Sequence, residues 1–257
     1  MIPLDKWAQR LEAVIAAHGV TCVDRAAVVA RCDSTQDAAK RIAGGRTGVV
    51  VLAGRQVGGR GRLGREWADT KGLGLAVTFV LDANRWDQAH ISLVSGVAAC
   101  RAIQSTLGPV RVGLRWPNDV VEAGGAKRKL AGVLVERTDG TALVGIGTNV
   151  LHSAGDHPPV LDGRAVSLRE LGSTVDRLGY AERLLVEFDR TLAFSNEQLA
   201  SAWRGLDVLI GTTRTFEHDG SRITGTVIEI DPDSSIIVQL PGGRVGLPAA
   251  STSLVAE

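Results

Sequence analysis

The chain of 257 residues has a formal net charge of +1 and is 44% hydrophobic, enough for a sizeable core and too neutral for a protein whose main business is nucleic acid. Its three cysteines (Cys22, Cys32, Cys100) form no CxxC pair, and its five histidines (His18, His90, His152, His157, His218) show no metal-ligand spacing, which argues against a disulfide framework and a His/Cys zinc site. No apolar run reaches the roughly 18–20 residues of a membrane span and no signal-peptide pattern opens the chain, so the sequence predicts a cytoplasmic protein that does not enter a membrane.

In chain order, Leu4, Trp7, Leu11, Val14 and Ile15 recur at three- and four-residue intervals and predict an amphipathic helix stopped near Gly19. Asp33 and Ser34 suit an N-cap for a second helix, with Ala38, Ala39 and Ile42 on its inner face and Gly44 beyond its end. Residues 49–53 read as a buried strand, 54–66 as a loop and 73–81 as another strand. A long helix is predicted over 87–107, ended by Gly108 and Pro109, then a strand over 111–116 broken by Pro117. Residues 129–137 and 141–150 predict a hairpin around Asp139-Gly140. Residues 151–166 carry little apolar pattern and read as a loop; helices follow over 176–194 and 197–203. From Val208 onward, short β-branched stretches separated by Asp219-Gly220 and Gly242-Gly243 predict a small β-barrel-like domain. The chain is thereby divided into residues 1–205 and 206–257.

The most informative stretch runs from Gln56 to Trp67, Gln-Val-Gly-Gly-Arg-Gly-Arg-Leu-Gly-Arg-Glu-Trp. Glycines let a backbone approach a ligand and point N–H groups at it, and interleaved arginines supply planar donors for carboxylate or phosphate. The plainer reading is a surface turn with solvated arginines; flanking buried strands argue against it. Gly59, Gly61 and Gly64 also fit a dinucleotide pattern, but that pattern needs a helix directly afterwards and residues 66–74 have no helical periodicity.

Two further constellations follow. Pro117 forces a turn that presents Asn118 and Asp119 as a carboxylate beside an amide, fit for magnesium or ribose, or simply for forming the turn. Lys129 opens a strand in Lys-Leu-Ala-Gly; it can bridge a carboxylate and a phosphate, or serve as an edge charge beside Lys127 and Arg128. Gly132 faces Gly145 and Gly147 on the neighbouring strand, which predicts a flat surface for a planar ring, with tight sheet packing as the alternative.

Taken in order, Asp33-Ser34-Thr35-Gln36, Gln56 to Trp67, Arg115-Trp116-Pro117-Asn118-Asp119, Lys129 to Gly132 and Gly145 to Asn149 resemble the biotin protein ligase (biotin–[acetyl-CoA-carboxylase] ligase) family over about residues 30 to 257. The resemblance implies an α+β protein: a mixed-sheet, class II synthetase-like catalytic domain followed by a small SH3-like β-barrel. It implies formation of biotinyl-5′-AMP from biotin and ATP, then transfer of biotin to a lysine of a biotin carboxyl carrier protein domain. Ser34, Thr35, Gln56 and the backbone at Arg60 then hold the ureido end of biotin, with Gln36, Gly59, Gly61 and Gly132 in the same biotin-binding set. Arg62 contacts and retains the acyl-adenylate. Arg65, Trp67, Asn118, Asp119 and Asn149 surround ATP, with Asp119 near Mg2+. Lys129 contacts the biotin carboxylate and the α-phosphate, and Lys129, Arg62 and Arg115 form the catalytic set.

The sequence departs from the family at Arg115, usually Lys, at Gln36, usually Asn, and at Gly58, commonly Ala; the stretch from Asp119 to Lys129 is slightly long and reads as a surface insertion. Only 33 residues precede Ser34, too few for a winged helix, so no sequence-specific DNA binding is expected. The nearest rival is a lipoate or octanoate ligase or transferase. The oligomeric state stays open between monomer and homodimer. Residues 151–166 are expected to act as a mobile lid, anchored by Val160 and Leu161.

Overall fold

The computed structural model describes residues 2–255 apart from 109, 139 and 232–234; Pro109 and Asp139, two of the expected breakers, therefore lie outside the described residues. Helix α1 (Trp7–His18) buries Trp7, Leu11, Val14 and Ile15 and ends on Gly19 at φ 61°, as its apolar spacing requires. Strand β1 (Arg25–Cys32) leads to α2 (Thr35–Ala43), whose first turn is capped by the Ser34 hydroxyl accepting from the Gln36 N–H. Next come β2 (Val49–Gln56), the two-residue strands β3 (Gly59–Arg60) and β4 (Glu66–Trp67), and β5 (Gly74–Asp82). Helix α3 (Gln88–Gln104) is capped by Asp87. Strands β6 (Val112–Arg115), β7 (Asp119–Glu122), β8 (Lys129–Thr138) and β9 (Thr141–Asn149) precede α4 (Arg177–Leu192) and α5 (Asn196–Leu206), which starts with a Ser195–Gln198 capping box.

The main sheet has seven strands in the order β1-β2-β5-β9-β8-β7-β6, parallel only between β1 and β2. Side chains alternate across it. On β9, Ala142, Val144 and Ile146 join the large core that includes α1, α3, α4 and α5, while Leu143 joins the small cluster under α2. Gly145, Gly147 and Asn149 continue the α2 face. One face of the sheet is thus covered by four helices; on the other, α2 covers one end and the rest is left for the functional cleft.

The remaining strands, β10 (Thr213–His218), β11 (Ser221–Asp231), β12 (Ser235–Leu240), β13 (Gly243–Pro248) and β14 (Thr252–Leu254), form an antiparallel sheet in the order β13-β12-β11-β10-β14. The larger buried cluster continues into it through Phe216, Val227, Ile236, Val238 and Leu247. The chain reaches it along the edge of the main sheet: the Val208 N–H donates to Leu114 O at 3.1 Å, and Asp207 bridges Leu114. No helix among the described residues is long and apolar enough to cross a membrane.

Four strands of the first 205 residues escape the sequence expectation, β3 and β4 among them, since residues 54–66 read as a loop. β1 is an edge strand of half-buried residues without alternation, and β7 is four residues long. The expected hairpin is present as β8 and β9. The expected loop at 151–166 holds one short 3-10 turn, Pro159–Leu161.

Candidate active site

The cleft starts from a floor without side chains. Gly132 pairs with Gly147 across β8 and β9. A Cβ on Gly147 would lie 2.4 Å from the Trp67 ring; one on Gly145 would lie 2.9 Å from the Gln36 amide nitrogen; one on Gly132 would lie 2.9 Å from Lys129 Nζ. These glycines are there because Trp67, Gln36 and Lys129 rest directly on the backbone. The flat surface read from the sequence does receive a planar ring, and in this structure that ring is the Trp67 indole.

Trp67 is delivered by the Gly/Arg segment, which folds into a tight hairpin and not into the helix that a dinucleotide site needs. Gly59 pairs with Trp67 and Arg60 with Glu66, and Leu63 (φ 54°) and Gly64 (φ 72°) supply the left-handed pair of the turn. The branched Leu63 in that region costs roughly 1–2 kcal/mol. Leu63 is 56% exposed, so packing of its side chain offsets that cost only in part. Gly59 sits beneath the hairpin, not on the cleft surface: a Cβ there would meet Gln56 Nε2 at 2.4 Å and Trp67 O at 2.5 Å. The Arg60 side chain turns to Asp37 (2.6 Å) and Glu136 (3.4 Å), so the part of Arg60 offered to a ligand is its backbone.

At the α2 end a buried polar chain closes the cleft. Thr78 Oγ1 donates to Thr35 Oγ1 (3.0 Å), and Thr35 donates to Gln56 Oε1 from both its N–H (2.7 Å) and its hydroxyl (3.1 Å). The Gln56 N–H in turn donates to Asp69 (2.7 Å). Gln36 gives its amide hydrogens to Leu134 O (2.9 Å) and Leu143 O (3.3 Å), which fixes it to the sheet. Thr78 and Asp69 were not legible from the sequence, since a lone Thr in an apolar strand and an Asp in a loop carry no pattern.

The opposite end is charged. Asp119 accepts from Arg115 Nη2 at 2.9 Å and pairs with Lys129 Nζ at 2.5 Å. Burial by itself would raise the Asp119 carboxyl; Lys129 and Arg115 overcome it and hold the group below the usual carboxylate range. Asn118 donates to Val133 O at 2.5 Å, so the Pro117 turn is tied to β8. Arg62, by contrast, has no carboxylate in ion-pair reach among the described residues. It donates to the Ala249 carbonyl, and burial lowers its pKa. Asp119 neutralises one of its two cations, so a positive charge remains there and a second one waits on Arg62. The cleft is electrostatically prepared for an anion.

Magnesium fits these residues less well than phosphate does. No cluster of three His, Cys, Asp or Glu side chains exists among the described residues, and each oxygen of Asp119 already faces a cation. The described residues offer no cage of their own for the ion.

All the residues expected from the sequence line this one cleft of about 400 Å³ except Gly59: Ser34, Thr35, Gln36, Gln56, Arg60, Gly61, Arg62, Arg65, Trp67, Arg115, Asn118, Asp119, Lys129, Gly132 and Asn149. That volume suits a small-molecule site. Sequence reasoning missed Leu161, Arg164 and Ala165 from the 151–166 segment as direct lining, except for Leu161 as a lid anchor, and missed Arg214 and residues 252–255 from the C-terminal sheet. Val160, the other residue expected to close over the adenine, is 73% exposed.

Cleft and fold together define a protein ligase of the biotin and lipoate type. The profile of the Biotin/lipoate A/B protein ligase family matches residues 28–151. The chain is 33% identical over 261 residues to the biotin–[acetyl-CoA-carboxylase] ligase of Mycobacterium tuberculosis, covering 96% of this chain and 94% of that protein. It is 36% identical over 245 residues to the enzyme of the same name from Paracoccus denitrificans, covering 87% and 98%. The fold superposes on the biotin protein ligase of Aquifex aeolicus, solved in complex with biotin and ATP, with a TM-score of 0.76 over 90% of this chain and 99% of that one at 24% identity. The chain belongs to the biotin–[acetyl-CoA-carboxylase] ligase family.

Proposed function

We propose that this protein activates biotin with ATP to biotinyl-5′-AMP and transfers the biotinyl group to one lysine of a biotin carboxyl carrier protein domain. The observation that carries the reading is the pairing, within one cleft, of a neutral buried polar end (Thr35, Gln56) with a cationic end (Arg62, Arg115, Lys129). A neutral, hydrogen-bonding head suits the polar end, and its carboxylate then meets the phosphates of ATP at the cationic end.

In the first step a carboxylate oxygen attacks the α-phosphorus and pyrophosphate leaves with the broken P–O bond. Lys129 and Arg115 stabilise charge on the reacting oxygens, and Asp119 fixes both cations. In the second step the acceptor amine attacks the acyl carbon, AMP leaves and the amine gives up a proton. Arg62 holds the adenylate between the steps. Trp67, Asn118 and Asn149 line the nucleotide half together with Arg65. Asp119 would be the carboxylate to face a magnesium ion brought in by ATP, which would supply charge neutralisation for the leaving pyrophosphate.

We further propose that residues 1–205 form a class II synthetase-like catalytic domain and residues 206–257 an SH3-like barrel, on the strength of five antiparallel strands in which β14 returns beside β10. The three free cysteines suit a reducing, cytoplasmic setting. The near-zero net charge leads us to expect no sequence-specific DNA binding. The test is exchange of labelled pyrophosphate into ATP with biotin, lipoate or octanoate supplied in turn. Biotin alone is expected to support exchange; equal or faster exchange with octanoate would move the protein to the lipoate side of the family.

A further inference from the structure

Strands β2 and β5 pair in register from Val49–Val80 to Ala53–Ala76 and then part. Beyond that point β2 stays with β1 as far as Gln56, and β5 stays with β9 back to Gly74. Two side chains stand in for the missing ladder. Arg177, at the start of α4, donates to Gly54 O at 2.7 Å and to Gly74 O at 3.4 Å. Asp69 takes the N–H groups: Gln56 N–H donates to Oδ2 at 2.7 Å and Gly74 N–H to Oδ1 at 3.4 Å. Gln56 is the last residue of β2 and Gly74 the first of β5, so one carboxylate closes the base of the segment that carries the Gly/Arg hairpin and Trp67.

An aspartate in a loop ordinarily serves its own turn. Asp69 precedes the 3-10 turn Thr70–Gly72, but its side chain does not cap it. Both oxygens reach elsewhere, one of them to a residue 13 positions away. Burial pushes the carboxyl up, and the Gln56 and Gly74 N–H groups, with the Arg177 charge, offset this only in part.

The contact matters through Gln56. The Thr35 N–H can only donate, so the Gln56 amide atom that it meets at 2.7 Å is the oxygen, and the Thr35 hydroxyl adds a second donor at 3.1 Å. With Oε1 taken, what the Gln56 side chain presents to a ligand is its amide N–H groups. Asp69 holds the main chain of this residue and Thr35 holds its amide oxygen, so the direction of those donors is set at both ends. Without Asp69, the Gln56 N–H loses a charged acceptor and the root of the side chain is free to shift.

On the reading above that this end of the cleft receives the ureido head of biotin, we infer that Asp69 is a positioning residue for that head, acting through the Gln56 main chain. The cationic end and the glycine floor lie outside its reach, so its loss falls on one substrate and spares the other.

The test is steady-state ATP–pyrophosphate exchange by Asp69→Ala and Asp69→Asn, each also made in a Gln56→Ala background. For Asp69→Ala, KM for biotin is expected to rise about tenfold, with kcat and KM for ATP within about twofold of wild type. Asp69→Asn keeps the volume and one acceptor oxygen of two; a smaller rise in the same parameter is expected, and this variant carries the test if the alanine protein does not fold. In the Gln56→Ala background the main-chain N–H remains but the amide it aims is gone, so neither change is expected to raise KM for biotin further.

An unchanged KM for biotin, or equal effects on biotin and ATP, would make Asp69 a clasp of the fold alone and overturn the inference. An equal further rise in the Gln56→Ala background would overturn it too, because the effect would not pass through Gln56. A wild-type KM for biotin in Gln56→Ala alone would mean that the polar end does not hold biotin. That is a failure of the underlying reading, and it is seen separately because Asp69 is intact in that protein.

Discussion

At the scale of single residues, charge balance decides most of the roles. Arg115 and Lys129 share Asp119, whereas among the described residues Arg62 donates to the Ala249 carbonyl and has no carboxylate in ion-pair reach. An arginine in that position gains most when a phosphate arrives, so Arg62→Gly is expected to release the acyl-adenylate early. Incubated with biotin, ATP and a bystander protein, that variant should label lysines on the bystander; labelling no greater than wild type would count against the role. His152 is a different case. It is 1% exposed, its ring stacks on His157 at 4.6 Å, and its Nδ1 has no hydrogen-bond partner among the described residues. Burial first, and His157 second, push its pKa down to about 4. The unfolded chain, with an ordinary histidine near 6.5, then binds a proton that the folded one refuses, so stability falls as pH drops through the window from 6.5 to about 4 and changes no further below it. The full loss is on the order of 3 kcal/mol. His152→Phe should flatten that acid limb in thermal unfolding measured across the window; parallel curves for the two proteins would show that His152 does not set it. The His152 behaviour could not be read from the sequence, because an orphaned ring nitrogen is a property of the packed state, whereas the role of Arg62 was implied by the family resemblance.

At the scale of elements, the site is made by backbone approach. Two-residue strands β3 and β4 carry Trp67 onto the floor of β8 and β9, and the floor accepts it because Gly147 has no Cβ. Gly147→Ala places a methyl 2.4 Å from the indole, so Trp67 must move. The expected result is a loss of ATP affinity with little change in biotin affinity, since the polar end at Thr35 and Gln56 is untouched; calorimetric titration of each ligand checks it, and unchanged ATP affinity would show that Trp67 does not shape the nucleotide half. The Gly/Arg segment, the Pro117 turn and the β8–β9 hairpin were legible in the sequence because their residue types are demanded by local geometry. The capped start of α2 was legible for the same reason, through Ser34. β1 was not: residues 25–32 form the parallel edge of the sheet, where register is set by β2 and the sequence carries no alternation. β7 was not either, since four residues are too few to show a period. The site residues contributed by residues 163–165 and 252–255 were invisible for want of any motif; tertiary approach alone brings them to the cleft.

At the scale of the whole molecule, the two sheets contribute to one cleft. The main sheet supplies the floor and the charged and polar ends; Arg214 and residues 252–255 supply part of a wall, and Arg62 reaches across to Ala249. The helices on the far face of the sheet take no part in the site, and with them goes most of the buried apolar surface. That separation lets the cleft hold exposed backbone, a left-handed leucine and an arginine without an ion-pair partner among the described residues while the fold is stabilised elsewhere. The most direct measurement is intact-mass and peptide analysis of a biotin carboxyl carrier domain incubated with this protein, magnesium-ATP and an equimolar mixture of biotin, lipoate and octanoate. One biotinyl group on one lysine of the carrier is the result the account predicts; a lipoyl or octanoyl adduct, or an unmodified carrier, would contradict it.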